Sequence, residues 1–501
     1  MARPVLWRRM VLAILLMAGF YALALGIAGI LLYLPYAEWH YLGRVEPRLL
    51  LFAGAGAIAI LAAIAPRPDR FLDPGPALLP GTHPRLFELI HQTAGATSLA
   101  PPSRVYLVPE FNAWVAQRGG IMGIGSQRVM GLGLPLLQSL TISEFKAVLA
   151  HEFGHFYGGD TALGPWLYTT RAAIGRTLSS LSRKSSLISK PFEWYGHAFL
   201  RVTHAVSRQQ EFAADALAAS VVNPGAVRSG LKAIHRLAPA YAPFWQHEVA
   251  PALSAGFRPP ILEGFQSFIE APHLARNIEE EFQNQLSQEA GDPYDTHPSL
   301  RERLAALPES DAGSPGAPEP PALSLMNPAE PLEEVLIGSL APPDESAKLT
   351  PVSWSELGDK VWIPRWTEIV SENRDRLAGL HPEELPRYTD DPAELAVRFR
   401  MAAQTSVASP RHVFEAKFLA SAALTLALSQ RNFLLSTMPG QPVTLTRGEI
   451  IIASFTLWDD LHEKRLSAGQ WALTCAEAGI HGMDLATVVP PSPAGKGKRG
   501  A

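Results

Sequence analysis

A single cysteine, Cys475, stands among 501 residues. One thiol makes neither an intramolecular disulfide nor a multi-thiolate zinc site, so any metal here must be held by His, Asp and Glu. Charge is also scarce, at 18% of residues against ~25% in an ordinary soluble protein. The balance is slightly acidic, with 43 Lys and Arg against 47 Asp and Glu and a net charge of −4. That excludes a global basic field for nucleic acid. No G-x-x-x-x-G-K-[ST] phosphate loop and no internal repeat occur, so nothing points to an ATP-driven motor. Hydrophobic residues make up 47%. This is enough to exclude disorder throughout, yet too little for a protein that is all membrane. At ~150 residues per domain the length allows about three units.

The apolar residues are unevenly spread. From Met10 to Tyr36 no residue is charged, and a second charge-free stretch runs from Leu49 to Ala65. The first exceeds the ~20 residues that cross ~30 Å of hydrocarbon, and the second sits at the low end of that range. Glu38, Arg44, Glu46 and Arg48 lie between them. The pattern predicts a transmembrane hairpin over residues 1–70, with spans of about 10–36 and 49–65. A signal peptide is the competing reading, since Arg8 and Arg9 precede the apolar run and Ala22-Leu23-Ala24 resembles a cleavage site. The run continues well past that site and a second apolar segment follows, which favours the hairpin. Arg3, Arg8 and Arg9 before the spans, and Arg67, Arg70 and Arg85 after them, outweigh Arg44 and Arg48 between them. Both flanks are therefore expected in the cytoplasm.

The remainder reads as α+β and mainly helical. Residues 71–307 mix helical periodicity with short β-like runs, Arg104 to Val108 and Asn112 to Ala116. A turn follows at Gly119-Gly120, then a glycine-interrupted strand pair over Ile121 to Leu132. Residues 308–345 have the proline-rich composition of a linker. Residues 346–489 are expected to form a mostly helical C-terminal domain of unknown function, with Trp354, Trp362, Trp366, Trp458 and Trp471 in its core. Residues 490–501, with Lys496, Lys498 and Arg499 among glycines, are expected to be a disordered basic tail.

The most informative segment runs from Thr141 to Gly159. Thr141 and Glu144 have capping-box spacing, which predicts a helix start, and Gly158-Gly159 predicts its stop. Within that helix His151 and His155 are four apart and share one face, where two imidazoles can hold a Zn2+ ion. Glu152, on the flank, can serve as general base in this H-E-x-x-H pattern. The alternative is a buried structural helix with incidental histidines, which a third ligand would decide. Position 161 is Thr, which rules out H-E-x-x-H-x-x-G-x-x-H. A later helix around Ser207-Arg208-Gln-Gln-Glu211-Phe-Ala-Ala-Asp215 carries two carboxylates one turn apart. They could be a solvated face. The apolar setting favours Glu211 as ligand, with Asp215 orienting a metal-binding imidazole.

These residues resemble the membrane zinc metalloproteases of the HtpX and CAAX prenyl protease type, a gluzincin group. Four features carry the resemblance over about residues 80–307: Asn112-Ala113-Trp114 ahead of Gly119-Gly120; Glu144 through His155; Arg208 through Asp215; and Thr296-His297-Pro298-Ser299 followed by Arg301, Arg303 and Leu304. The resemblance implies one catalytic zinc ion on His151, His155 and Glu211, Glu152 as catalytic base, and Asp215 behind the ligands. It further implies polypeptide substrates lying extended along Asn112, Ala113 and Trp114. His297 is implied as an oxyanion stabiliser, although a His-Pro loop is equally well a structural feature. Arg303 offers a partner to Asp215 or to a helix C-terminus. Some relatives carry further membrane spans after the H-E-x-x-H helix. Here residues 161–206 hold six Lys and Arg, and Leu167, Ile174, Leu178 and Leu181 at helical spacing. That predicts a basic amphipathic segment lying either on an anionic leaflet or over the active site.

The expected function is a membrane-anchored, ATP-independent zinc endopeptidase acting on exposed or unfolded segments of proteins, membrane proteins included. Its expected location is a bacterial inner (cell) membrane, with the protease domain in the cytoplasm. A signalling protease with one dedicated target and a catalytically idle scaffold are the alternatives. Nucleic acid is not an expected partner.

Overall fold

The computed structural model describes residues 3–120, 124–156, 170, 173–179, 186–287, 297–309, 319–340, 349–401 and 409–489. The expected helix stop at Gly158-Gly159 and the tail 490–501 fall outside these residues, as do Leu167 and Leu181. The fold is α+β and mainly helical. Contacts divide it into two compact units, residues 1–239 with 278–341 and residues 240–277 with 342–501.

The first unit begins with α1 (Arg3–Leu42) and α2 (Pro47–Ile64). Both are long and apolar enough to cross a membrane, over Ile14–Leu42 and Pro47–Ile64. The helix runs past Tyr36 because Glu38 is not left bare at its end. Its carboxylate accepts the Glu46 N–H at 2.9 Å across the turn, and Gly43 supplies the positive φ that ends α1. Tyr33, Tyr36, Trp39, His40 and Tyr41 form a chain of ring contacts at that end. Amphipathic rings of this kind favour a membrane–water interface. Met17, Phe20, Ala24, Ala28 and Leu31 recur at helical spacing and are buried with Ala53, Ala57 and Ile60 of α2. The alanines let the backbones approach closely, which is how helices associate in lipid.

A four-stranded sheet follows, in the order β1 (Ala77–Leu78), β2 (Arg104–Val108), β4 (Gln127–Gly133), β3 (Ala113–Arg118). The β2–β4 pair is parallel and β3–β4 is antiparallel. Gly119 and Gly120, both at positive φ, turn the chain after β3. Among the described residues of 121–132 one strand forms rather than two, because β4 pairs back onto β3 itself. This ordering leaves β3 as a sheet edge. The helices α3 (Pro84–Ala96), α4 (Leu134–Ser139) and α5 (Ile142–Gly154) complete this part.

The described part of 161–206 packs on the hairpin, a contact that neither expectation for that segment named. Ala173, Ile174, Phe192 and Phe199 are buried against α1 and α2. Tyr195 donates its hydroxyl to the Leu16 carbonyl at 2.6 Å, and Arg176 donates to the Ala63 carbonyl at the end of α2. The segment therefore packs on the hairpin, and from there α6 (Ser186–Val221) runs for 36 residues as one helix. At ~1.5 Å per residue it is ~54 Å long.

Residues 319–340 are docked on this unit rather than loose. Glu319 accepts the backbone N–H and the hydroxyl of Ser143 at the start of α5. Ala322 donates to the Leu140 carbonyl at 2.8 Å. His83 is buried, accepts the Asn327 N–H and lies 2.7 Å from Glu330. These contacts hold the N-terminus of α5 from outside.

The second unit draws on residues 240–277, which lie inside the stretch 71–307 in chain order. Phe257–Arg258 pair in parallel with Thr350–Pro351, and Trp354 donates its indole N–H to the Pro260 carbonyl at 2.7 Å. Gly264 admits that indole, since a Cβ there would stand 2.2 Å from the ring. The helix Pro410–Ser429 is rich in alanine and leucine and is buried along most of its length. Trp354, Trp366, Trp458 and Trp471 are buried as expected, whereas Trp362 is half-buried. A three-stranded antiparallel sheet, Leu434–Ser436, Thr444–Arg447 and Ile450–Ile452, covers part of this core.

Candidate metal centre

The centre is built on α5 and α6. The capping box at the start of α5 is complete. Thr141 Oγ1 accepts the Glu144 N–H, and the Glu144 carboxylate accepts the Thr141 N–H. His151 lies in the last turn and His155 is the C-cap, still in αR conformation, so the pair keeps its common face. Gly154 between them is the close-packing point. A Cβ there would stand 2.7 Å from Ala214 Cα and 2.9 Å from its Cβ. With no side chain in the way, α5 crosses α6 closely enough to bring Glu211 beneath both imidazoles.

Glu211 is 4% exposed. His151 Nε2 lies 3.5 Å from its Oε2, and His155 Nε2 lies 3.6 Å from its Oε1. Two donors each ~2.0–2.1 Å from one tetrahedral zinc ion stand ~3.3–3.4 Å apart, so these spacings suit a shared cation. Glu211 Oε2 is buried with no hydrogen-bond partner, an orphan that a cation would satisfy. Ligand atoms of His151, Glu152 and His155 also lie within 4.8 Å of one another. The donor set therefore fits zinc.

Behind these groups lies a charged layer. His151 Nδ1 is 2.8 Å from Asp215 Oδ1, which fixes the ring so that Nε2 faces Glu211; a cation bound there would displace the Nε2 proton. Arg303 is 7% exposed and grips Asp215 with two hydrogen bonds, Nε to Oδ2 at 2.8 Å and Nη2 to Oδ1 at 2.7 Å. Its Nη1 lies 3.4 Å from Glu211 Oε2. The ion pair to Asp215 is thus the one formed of the two partners open to Arg303. A second capping box, Ser299 with Glu302, starts the helix Leu300–Ala306 that carries it.

The protonation states follow from this layout. Burial disfavours charge on Glu211, yet the nearby His151, His297 and Arg303 hold its carboxyl well below the usual range. Asp215 is depressed in the same way by Arg303 and His151. Burial opposes protonation of His151, but its bonds to Asp215 and Glu211 lift it to about 9. Burial and the His151 charge push His155 down to about 4. The cluster has more carboxylate charge than Arg303 alone neutralises, and His151 supplies the missing positive charge. A divalent cation would take over that role.

Glu152 stands beside the edge strand β3. Burial pushes its carboxyl up to about 7, against the lowering influence of the His151 charge and the Val115 backbone. His297 is 62% exposed and its Nδ1 lies 3.1 Å from Glu211 Oε1. A cavity of about 510 Å³ joins these groups, and Asn112 and Ala113 line it. Trp114 does not line it. Its indole lies over Gly131 of β4, where a Cβ would stand 2.3 Å from the ring.

The structure thus brings together His151, Glu152, His155, Glu211, Asp215 and His297, with Asn112 and Ala113 at the cavity wall. Two features escape a reading of motifs. These are the Gly154 approach to Ala214 and the Glu319 bracket on α5. Of these, only the glycine inside H-E-F-G-H leaves a signal in the chain.

Residues 82–311 match the family model of peptidase family M48. The chain is 27% identical over 227 residues to Protease HtpX of Cellvibrio japonicus (strain Ueda107), covering 41% of this chain and 66% of that protein, just under two thirds of its length. No solved structure matches. Residues 82–311, then, match peptidase family M48, and the chain is similar to Protease HtpX over part of its length.

Proposed function

We propose that this protein is a membrane-anchored zinc endopeptidase in which His151, His155 and Glu211 hold the ion and Glu152 is the general base. The observation that carries the reading is the convergence of both Nε2 atoms on Glu211, whose buried Oε2 has no hydrogen-bond partner. Bound zinc supplies Lewis acidity toward water and the scissile carbonyl.

The chain does the rest. Glu152 takes the proton of the attacking water and delivers it to the leaving amine. Its raised carboxyl suits both halves of that transfer. The free edge of β3 accepts an extended peptide as an added strand, with Asn112 and Ala113 at the cavity wall. His297, exposed on the opposite rim, donates to the developing oxyanion. Asp215 holds the His151 ring, and Arg303 pairs with Asp215 and lies beside Glu211.

A strand-pairing site recognises backbone, so substrates are segments that are already extended or unfolded. With no phosphate loop in the sequence, the enzyme has no means of pulling folded domains apart. Two helices long and apolar enough to cross a membrane support membrane anchoring. The arginine bias favours a cytoplasmic position for residues beyond 70, at a bacterial inner membrane.

Glu152→Gln tests this most simply. It should keep a full complement of zinc while hydrolysis of an unfolded protein falls at least ~100-fold, the lower end of what general base catalysis supplies. A Glu152→Gln enzyme that cleaves at the wild-type rate removes Glu152 from the base role.

A further inference from the structure

The unit formed by residues 240–277 and 342–501 contains a cavity of its own, about 350 Å³ in volume. One wall is aromatic. Trp362 and Trp366 stack with centroids 5.9 Å apart and planes 24° apart, and Phe455 lies 5.2 Å from Trp366 and 5.5 Å from Phe418. Two polar groups are set among these rings. Thr437 is 5% exposed and its hydroxyl has no hydrogen-bond partner. Glu248 accepts the Gly440 N–H at 3.2 Å and forms no ion pair among the described residues. Burial raises its carboxyl above the ordinary value.

The backbone around this cavity departs from regular helix twice. Glu248 sits in a π-helical turn, Trp245–Val249, and Trp362 ends another, Gly358–Trp362. Gly358 lets that second turn approach the first strand of the small sheet. A Cβ there would stand 3.1 Å from Leu435 and 3.4 Å from Thr437 Oγ1. Such turns give up regular hydrogen bonding and recur at functional sites. Two of them on one cavity, each presenting a lining side chain, mark a built site.

The geometry points to a binding site for a small organic cation, an ammonium group with apolar substituents, with Glu248 as counter-ion and the aromatic rings as walls. An anion would meet the Glu248 carboxylate. A wholly apolar ligand would leave the Glu248 carboxylate with no cation to pair with and the Thr437 hydroxyl with no hydrogen bond, each at a cost. A cation with apolar flanks satisfies the carboxylate and interacts with ring faces. Arg365, which also lines the cavity, already sets its guanidinium over Trp362 at 6.0 Å, so a ligand cation is placed toward Glu248, Trp366 and Phe455. The volume sits at the small end of the ~300–1,000 Å³ of ligand pockets, suited to a single compact head group.

Calorimetric titration of the detergent-solubilised full chain with choline, and with its uncharged isostere 3,3-dimethyl-1-butanol, tests the assignment. Choline should bind about tenfold more tightly than the isostere, as one desolvated cation–π and ion contact allows. Glu248→Gln, which keeps an acceptor for Gly440, should abolish that preference, while Glu415→Gln outside the cavity leaves it intact. Thermal unfolding establishes that the Glu248→Gln protein is folded. If it is not, Phe455→Leu takes its place with the same expected loss. Equal binding of choline and the isostere, no choline binding at all, or undiminished choline binding by the folded variant would overturn the proposal. Glycerophosphocholine separates two sources of the same chemistry. It should match choline if the cation is a lipid head group, and bind about tenfold more weakly if the natural ligand is a free amine.

Discussion

At the scale of single residues, the account turns on charges that are buried and paired. Arg303 neutralises Asp215 through two hydrogen bonds and lies beside Glu211. Removing one partner of a buried ion pair typically costs about 3–5 kcal/mol, because the other is left uncompensated. Arg303→Ala should destabilise the first unit by about that much in denaturant unfolding, whereas Arg303→Lys should lose less; an unchanged midpoint for Arg303→Ala would mean the layer is not neutralised as described. Glu211→Ala should empty the zinc site, which metal analysis of the purified protein reads directly. The lone thiol behaves differently. Cys475 is buried and its pKa is pushed up to about 12 by that burial and by Glu383. It should therefore resist alkylation at pH 8 in the folded protein and react fully in denaturant. Rapid native alkylation would contradict its place in the core.

At the scale of elements, the central object is the crossing of α5 and α6. Gly154 has no room for a side chain against Ala214. Gly154→Val should force the helices apart, destabilise by about 1–3 kcal/mol and lower zinc affinity together, whereas zinc affinity unchanged despite lost stability would separate packing from the metal centre. Much of α5 is legible in sequence because its determinants are local. Thr141 and Glu144 cap each other within four residues, and the His151/His155 spacing is fixed by the helix itself. What escaped depends on distant partners. Nothing near Glu319 foretells that it brackets Ser143, and β4 could not be assigned as the partner of β3 from glycines alone. The stretch 161–206 is a third case. Its six basic residues invite a surface reading, while Phe192, Tyr195 and Phe199 bind it to the hairpin. The apolar face decides the packing, and the charges occupy what is left.

At the scale of the whole molecule, α6 is the feature that joins membrane and chemistry within the first unit. One end packs on α1 and α2, and Glu211 and Asp215 lie near the other. The candidate ligand therefore sits on the same rigid element as the hairpin contact. The hairpin should make the protein resist extraction by alkaline carbonate and yield only to detergent. Release by carbonate would contradict two spanning helices.

The central claim is zinc-dependent peptide hydrolysis, and chelator reversal measures it most directly. Detergent-purified protein would be given an unfolded substrate, stripped with a zinc chelator, and resupplied with zinc. The account predicts one zinc ion per chain before stripping, loss of cleavage with the ion, and recovery on resupply in the wild type but not in Glu152→Gln. Cleavage that continues at the same rate after complete zinc removal would contradict it.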